Sequence, residues 1–210
     1  MLFRSKGLHP LNRTFNLAKV VLCGETSNDY YVVEKMIRAA FWNLYKPGCD
    51  EHYLTMRLRS HPDYLPDLTR IAVYEGQIVG AIFYAKSKVI TSDGEKPVIT
   101  FGPLAVAPEY QKKGIGGLLL KETLSLAKNV GYDAVIIYGE PNYYPRFGFQ
   151  RCEKYEITTP DGKYLDALMA YELKKDALKD VRGIFQASDV FFDINQDDVA
   201  KYDELFQLNR

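Results

Sequence analysis

The segment Gln111-Lys112-Lys113-Gly114-Ile115-Gly116-Gly117 constrains this chain more than any other. It lies between an apolar run ending at Val106 and an amphipathic stretch beginning near Ile115, so a strand feeds a helix through a glycine-rich turn. The first N–H groups of a helix have no intrahelical partner, and the helix dipole places partial positive charge there. Such a start attracts phosphate. Gly114, Gly116 and Gly117 have no side chain, so a ligand can approach the backbone closely. Lys112 and Lys113 add positive charge beside the nest. The chemistry implied is binding of a pyrophosphate, although a turn of this kind taken alone also serves as a plain strand-to-helix loop. Two rival phosphate motifs are excluded. No Lys-Ser or Lys-Thr pair follows the glycines, and the third glycine of G-x-G-x-x-G is missing.

The surrounding periodicity predicts a mixed α/β architecture. Lys19 to Cys23 reads as a first strand, Asp29 to Trp42 as a helix and Glu51 to Arg59 as a second helical piece. Thr69 to Tyr74 and Gln77 to Lys88 read as strands joined by a tight turn at Glu75-Gly76. Val98 to Val106 is the next strand. Gly102-Pro103 inside it predicts a bulge, because proline donates nothing to a ladder. Ile115 to Asn129 is an amphipathic helix with Ile115, Leu118, Leu119, Leu126 and Val130 in its apolar stripe and Gly131 as its cap. The short apolar run Ala134 to Tyr138 fits a buried parallel strand. Tyr144 to Phe147 reads as a short helix, and Glu153 to Ile157 with Ala167 to Leu173 as a closing strand pair. After Lys175 the chain is too apolar for a solvated linker: Phe185, Val190, Phe191, Phe192 and Ile194 need cover, and Val199, Tyr202, Leu205 and Phe206 fall on one helical face.

Composition narrows the function classes. Lys+Arg and Asp+Glu are equal at 27 each, which argues against nucleic acid as a partner. No polybasic tail is present, and Ile78 to Ala85, the most apolar stretch, is far too short to span a bilayer, so no membrane partner is expected. Cys23, Cys49 and Cys152 are far apart and form no C-x-x-C pair, so neither zinc nor a disulfide framework is indicated and a reducing, cytoplasmic location is expected. His52 and His61 show no metal-ligand pattern and read as surface or turn residues. Glu34 reads as part of a solvated helix face.

Q-x-x-G-x-G before a helix resembles the acyl-CoA pyrophosphate signature of the GNAT superfamily of N-acetyltransferases, with Gln111, Gly114 and Gly116 at its three positions. Phe101 to Tyr110 is similar to the fourth strand of that family and its exit. Tyr143-Tyr144-Pro145-Arg146-Phe147-Gly148-Phe149 resembles its Tyr-x-x-x-Gly-Phe segment, with Tyr144 four residues before Gly148. The likeness covers roughly residues 18 to 174 and is similar to a bacterial-type subgroup with a C-terminal extension. It implies a GNAT acyl-CoA N-acyltransferase fold: a central, mostly antiparallel sheet with a splayed parallel strand pair and helices on both faces. It also implies three parts: residues 1–17, expected to be flexible, an acetyltransferase domain over 18–174, and an extension over 175–210 packing on the core or on a partner chain.

The resemblance further implies acetyl-CoA as co-substrate, no metal, and direct attack by a primary amine of a small molecule or peptide in a ternary complex. Leu104, Ala105 and Val106 would offer backbone groups to the pantetheine arm. Gln111, Lys112, Lys113, Gly114, Ile115, Gly116 and Gly117 would hold the pyrophosphate, and Asn142 would lie near the cofactor arm or cap the following turn. Tyr144 matches the residue that often protonates the CoA sulfur, with Tyr143 as a competitor. Glu140, just after the strand Ala134 to Tyr138, is the candidate general base. A homodimer is compatible with the sequence. The alternative is a non-catalytic acyl-CoA-binding module of the same fold; a nucleotide-binding regulator lacks both of its motifs.

Overall fold

The structure, a computed structural model, describes residues 14–207. Most of the N-terminal segment expected to be flexible, residues 1–13, lies outside the described residues, as do the last three. Among the described residues, nine strands form one sheet. Strand β1 (Val21–Cys23) is preceded by a 3-10 turn, Leu17–Lys19, so the first strand is shorter than the apolar run suggested. The Asn16 side chain accepts from the Ala18 N–H and starts that turn instead.

Strands β2 (Arg70–Tyr74) and β3 (Gln77–Thr91) meet at Glu75-Gly76, with φ of 48° and 79°. Two positive φ values are what a two-residue hairpin needs to match the strand twist. Strand β4 (Gly94–Val106) returns along β3 from Gly80 to Thr91. Its register slips between Ile82↔Leu104 and Tyr84↔Phe101, where β4 carries one extra residue at Gly102-Pro103. The bulge falls where the sequence placed it.

Strand β5 (Ala134–Tyr138) lies parallel to β4 but shares a single register pair with it, Ile99↔Val135. Beyond β5 come β8 (Leu168–Glu172) and then β6 (Gln150–Arg151), both antiparallel. The expected closing pair is therefore corrected. Cys152–Tyr155 is a 3-10 turn, and β7 (Ile157–Thr158) pairs with β9 (Gly183–Gln186) rather than with β8. Two-residue strands carry too little periodicity to reveal such partners.

Helix α1 (Tyr30–Phe41) and helix α2 (Glu51–Arg59) cover one face, where Val33, Ile37 and Leu58 pack on Ala81, Phe83 and Ala85. Helix α3 (Ile115–Val130) covers the other, where Ile115, Leu119 and Leu120 pack on Ile82, Tyr84, Val135 and Ile137. Each fully buried side chain of this size contributes about 1.5–3 kcal/mol. The α3 stripe differs from expectation. Val130 is exposed, whereas Thr123 is buried, its hydroxyl bonded to the Leu119 carbonyl and 2.9 Å from the Tyr84 hydroxyl. A polar residue satisfied in the core breaks an apolar pattern without breaking the packing.

After β8 the chain continues the sheet. β9 adds to the far half of β3 at Lys88, Val89 and Ile90, and it buries Phe185 completely. Helix α4 (Gln196–Gln207) then packs across α1 and α2. Val199 and Phe206 are buried and Tyr202 bonds the Glu34 carboxylate, but Leu205 is exposed because six positions after Val199 falls off the stripe.

The α1–α2–α4 junction also corrects two readings. Glu34 is buried, not solvated, and His52 has no exposed surface. Arg59 sits between the carboxylates of Glu25 and Glu34, bonding both. The His52 Nε2 lies 3.0 Å from Asp203 Oδ1, which Arg38 also engages at 2.6 Å. Burial holds His52 down at about 4, so it is neutral at physiological pH. Replacing Arg59 by Ala is expected to destabilise the fold by roughly 3–5 kcal/mol, because two buried carboxylates lose their counter-charge. Urea denaturation of the variant measures that loss.

Candidate active site

The glycine turn forms one end of the site. Pro108–Tyr110 makes a 3-10 turn, Lys112 takes φ 60° and Gly114 takes φ 90° at the helix N-cap, with no side chain capping the first turn. The Gln111 side-chain amide donates to the Val106 carbonyl at 3.1 Å, tying the turn to the end of β4. The open helix start faces a cavity of about 840 Å³. Val106, Gln111, Lys112, Gly114, Ile115, Gly116 and Gly117 all line it. Lys113 does not: its ammonium lies 5.3 Å from the Phe15 ring centre and 5.1 Å from that of Tyr110. Two cations join the lining without having been anticipated, Lys121 one turn up α3 and Arg146.

The second end lies where β4 and β5 part. No ladder pair beyond Ile99↔Val135 joins them among the described residues. Leu104 and Tyr138, near the ends of the two strands, both line a cavity of about 660 Å³. Ala105 lines neither cavity, and its methyl is buried in the core, so only its backbone could serve a ligand. Tyr143 lines both cavities.

Tyr144 lines the second cavity, with its ring packed between Phe101 and Phe149 at centre distances of 5.7 and 5.6 Å. A Cβ at position 139 would come within 2.5 Å of that ring, so only Gly139 allows it to seat. Burial raises the phenol pKa, which keeps it protonated at neutral pH. Tyr143 is raised by burial as well. Its hydroxyl lies over the helix start, 3.0 Å from where a Cβ at Gly116 would sit.

Two carboxylates line the second cavity, Glu140 and Glu51. Glu140 is exposed, and its Oε1 accepts from the Asn142 backbone N–H at 3.2 Å and from the Asn142 side chain at 3.1 Å. That pair closes the turn after β5. It also accounts for Asn142, which lines neither cavity. Glu51, at the first position of α2, was not anticipated. It is partly buried, and burial raises its carboxyl above the ordinary carboxylate range.

Comparison with known proteins agrees with this geometry. The model of the "Acetyltransferase (GNAT) family" matches residues 35–149, more than half of the chain. The chain belongs to the acetyltransferase (GNAT) family. It is 36% identical over 88 residues to the uncharacterized N-acetyltransferase YjhQ of Escherichia coli K12, spanning 41% of this chain and about half (48%) of that one. It is 30% identical over 117 residues to the uncharacterized N-acetyltransferase YhbS of the same strain, covering 56% of this chain and 69% of the relative. The crystal structure of E. coli YhbS in complex with CoA superposes with a TM-score of 0.74 at 23% identity, covering 87% of this chain and 97% of that one. A GNAT acetyltransferase from Brucella melitensis in complex with acetyl-CoA gives 0.67 at 22%, covering 82% and 98%. These likenesses show the fold.

Within this acetyltransferase fold, the splayed parallel pair and the glycine turn lie where the family resemblance implied. A possible metal cluster does not coincide with either cavity end. His61, Asp63 and Asp189 approach one another, but His61 Nδ1 accepts from the Asp63 N–H at 3.2 Å and Nε2 lies 2.9 Å from Asp189 Oδ1. Both ring nitrogens are thus engaged by protein partners. No helix among the described residues is long and apolar enough to cross a membrane.

Proposed function

We propose that this protein transfers an acetyl group from acetyl-CoA to a primary amine of a small molecule or peptide, by direct attack in a ternary complex. The observation that carries the reading is that Tyr143 lines both the cavity at the helix start and the cavity that holds Tyr144, which sets the two side by side. Pyrophosphate fits the end with free N–H groups, Lys112, Lys121 and Arg146. The pantetheine arm fits the strand gap beside Leu104, Ala105 and Val106, as an added strand would. The thioester then reaches Tyr144. Holding both substrates there supplies much of the rate, because a bimolecular step becomes effectively unimolecular.

The amine nitrogen attacks the thioester carbonyl, the C–N bond forms and the C–S bond breaks. Tyr144 donates its proton to the departing sulfur. Burial weakens a phenol as an acid, but the same apolar surroundings make the thiolate more basic, so the transfer is not disfavoured by burial as such. Tyr144→Phe keeps the ring packing and removes the donor. It is expected to lower kcat on the order of 10²-fold, with a much smaller change in the KM for acetyl-CoA. Free-thiol release with a panel of amines measures both. Unchanged kcat in Tyr144→Phe with loss in Tyr143→Phe moves the acid one residue back. Acetyl-CoA binding with no thiol release from any amine supports a binding module instead.

A further inference from the structure

We infer that Glu51 is the general base that removes the proton from the attacking amine. The inference rests on the transfer reading above. Among the described residues, Glu51 and Glu140 are the two carboxylates lining the cavity that holds Tyr144. They differ in placement. Glu140 lies on the same short segment as Tyr144, is exposed, and has its Oε1 occupied by two bonds from Asn142. Glu51 comes from the start of α2 and lines the cavity with Phe41, Tyr45 and Leu54, all from the α1–α2 region rather than from the segment after β5.

Direct attack needs an acid at the sulfur and a base at the nitrogen, and these sit on different sides of the reacting carbonyl. A base on α2 and an acid after β5 satisfy that; two groups on one turn do not. The backbone N–H of Asp50 donates to Glu51 Oε2 at 3.2 Å. The carboxyl is partly desolvated, which makes it a stronger base than a free surface glutamate. Backbone N–H groups of Glu51 and Asp50 and the charge of Lys46 act against this rise in pKa, the Asp50 carboxylate acts with it, and burial outweighs them. Across the cavity the titratable groups are Glu140 and the phenols of Tyr138, Tyr143 and Tyr144.

The proton balance closes. The amine arrives as an ammonium ion and releases one proton to solvent on entry. Glu51 takes the second as the C–N bond forms, directly or through water. Tyr144 gives its proton to CoA sulfur as the C–S bond breaks. Glu51 then reprotonates Tyr144 by way of solvent, leaving amide, CoA thiol and one net proton.

The test uses the full chain, acetyl-CoA, and a fixed panel of phenethylamine, tryptamine, spermidine and lysine methyl ester, read by thiol release. Glu51→Gln is expected to lower kcat/KM for the best amine on the order of 10²-fold at neutral pH, within the range for general base catalysis. The acid limb set by a carboxylate should disappear, leaving only the rise with pH that follows deprotonation of the amine itself. Acetyl-CoA affinity by calorimetry should stay within about twofold, since substrate-independent binding does not use this group. Glu51→Asp, which keeps the charge at the helix start, should lose rate yet retain the acid limb. Glu140→Gln should keep the acid limb, whatever its effect on rate. Near wild-type rates and an unchanged limb in both Glu51 variants overturn the inference and leave the transfer reading intact, as does loss of the limb in Glu140→Gln. No thiol release from the unmodified protein with any amine, while acetyl-CoA binds, overturns the transfer reading and the inference with it.

Discussion

Acetyl-CoA binding is expected to disappear in Gly116→Glu while the protein stays folded. Gly116 lies in the first turn of α3, where an acidic side chain favours the helix and Glu is the better helix former. The new Cβ would come 3.0 Å from the Tyr143 hydroxyl and 3.6 Å from a Val106 methyl. The first is the end of a side chain in a half-exposed position, which can swing aside. The carboxylate would then occupy the nest of N–H groups and confront the incoming pyrophosphate. Like charges forced together cost several kcal/mol, and each 1.4 kcal/mol is tenfold, so affinity should fall by more than about 10²-fold. Calorimetry gives the affinity and circular dichroism the fold. Unchanged affinity in a folded variant would remove the glycine turn from the binding site.

Cutting the chain after Lys175 is expected to abolish stable folding. The deletion removes β9, which pairs with both β3 and β7, and Phe185, Val190, Val199 and Phe206, all buried. Losing one buried phenylalanine to Ala costs roughly 3–5 kcal/mol, and a domain holds only about 5–15 in reserve. The cut also strips Tyr202 from Glu34 and Asp203 from Arg38 and His52. A shorter cut after Asp193 removes α4 alone and should lower the melting temperature without unfolding the sheet. Thermal denaturation with gel filtration separates the two. A truncated chain that melts like the full one would make residues 176–210 a dispensable appendage.

The sequence by itself determined what depends on neighbours in the chain. The Glu75-Gly76 hairpin, α2, β5, the bulge at Gly102-Pro103 and the Gly131 cap all appear where their residues require them. Their causes are local: positive φ, a missing N–H, an apolar period. The glycine turn was legible for the same reason, since Gln111 and the three glycines act within seven residues. Spacing to Gly148 singled out Tyr144, and the fold sets its ring in the second cavity.

Tertiary structure decided whatever depends on residues far apart in sequence. The partners of β6, β7 and β9 follow from which sheet edge remains open, and strands this short do not encode it. His52 and Glu34 are polar letters on helices that read as surface until α4, about 150 residues later, covers them. Lys113 looked equivalent to Lys112, yet the turn geometry aims one at the cavity and the other at Phe15 and Tyr110. Glu51 carries no motif. Only the fold sets it into the cavity that holds Tyr144, 93 positions further along the chain, and burial there raises its carboxyl above the ordinary value.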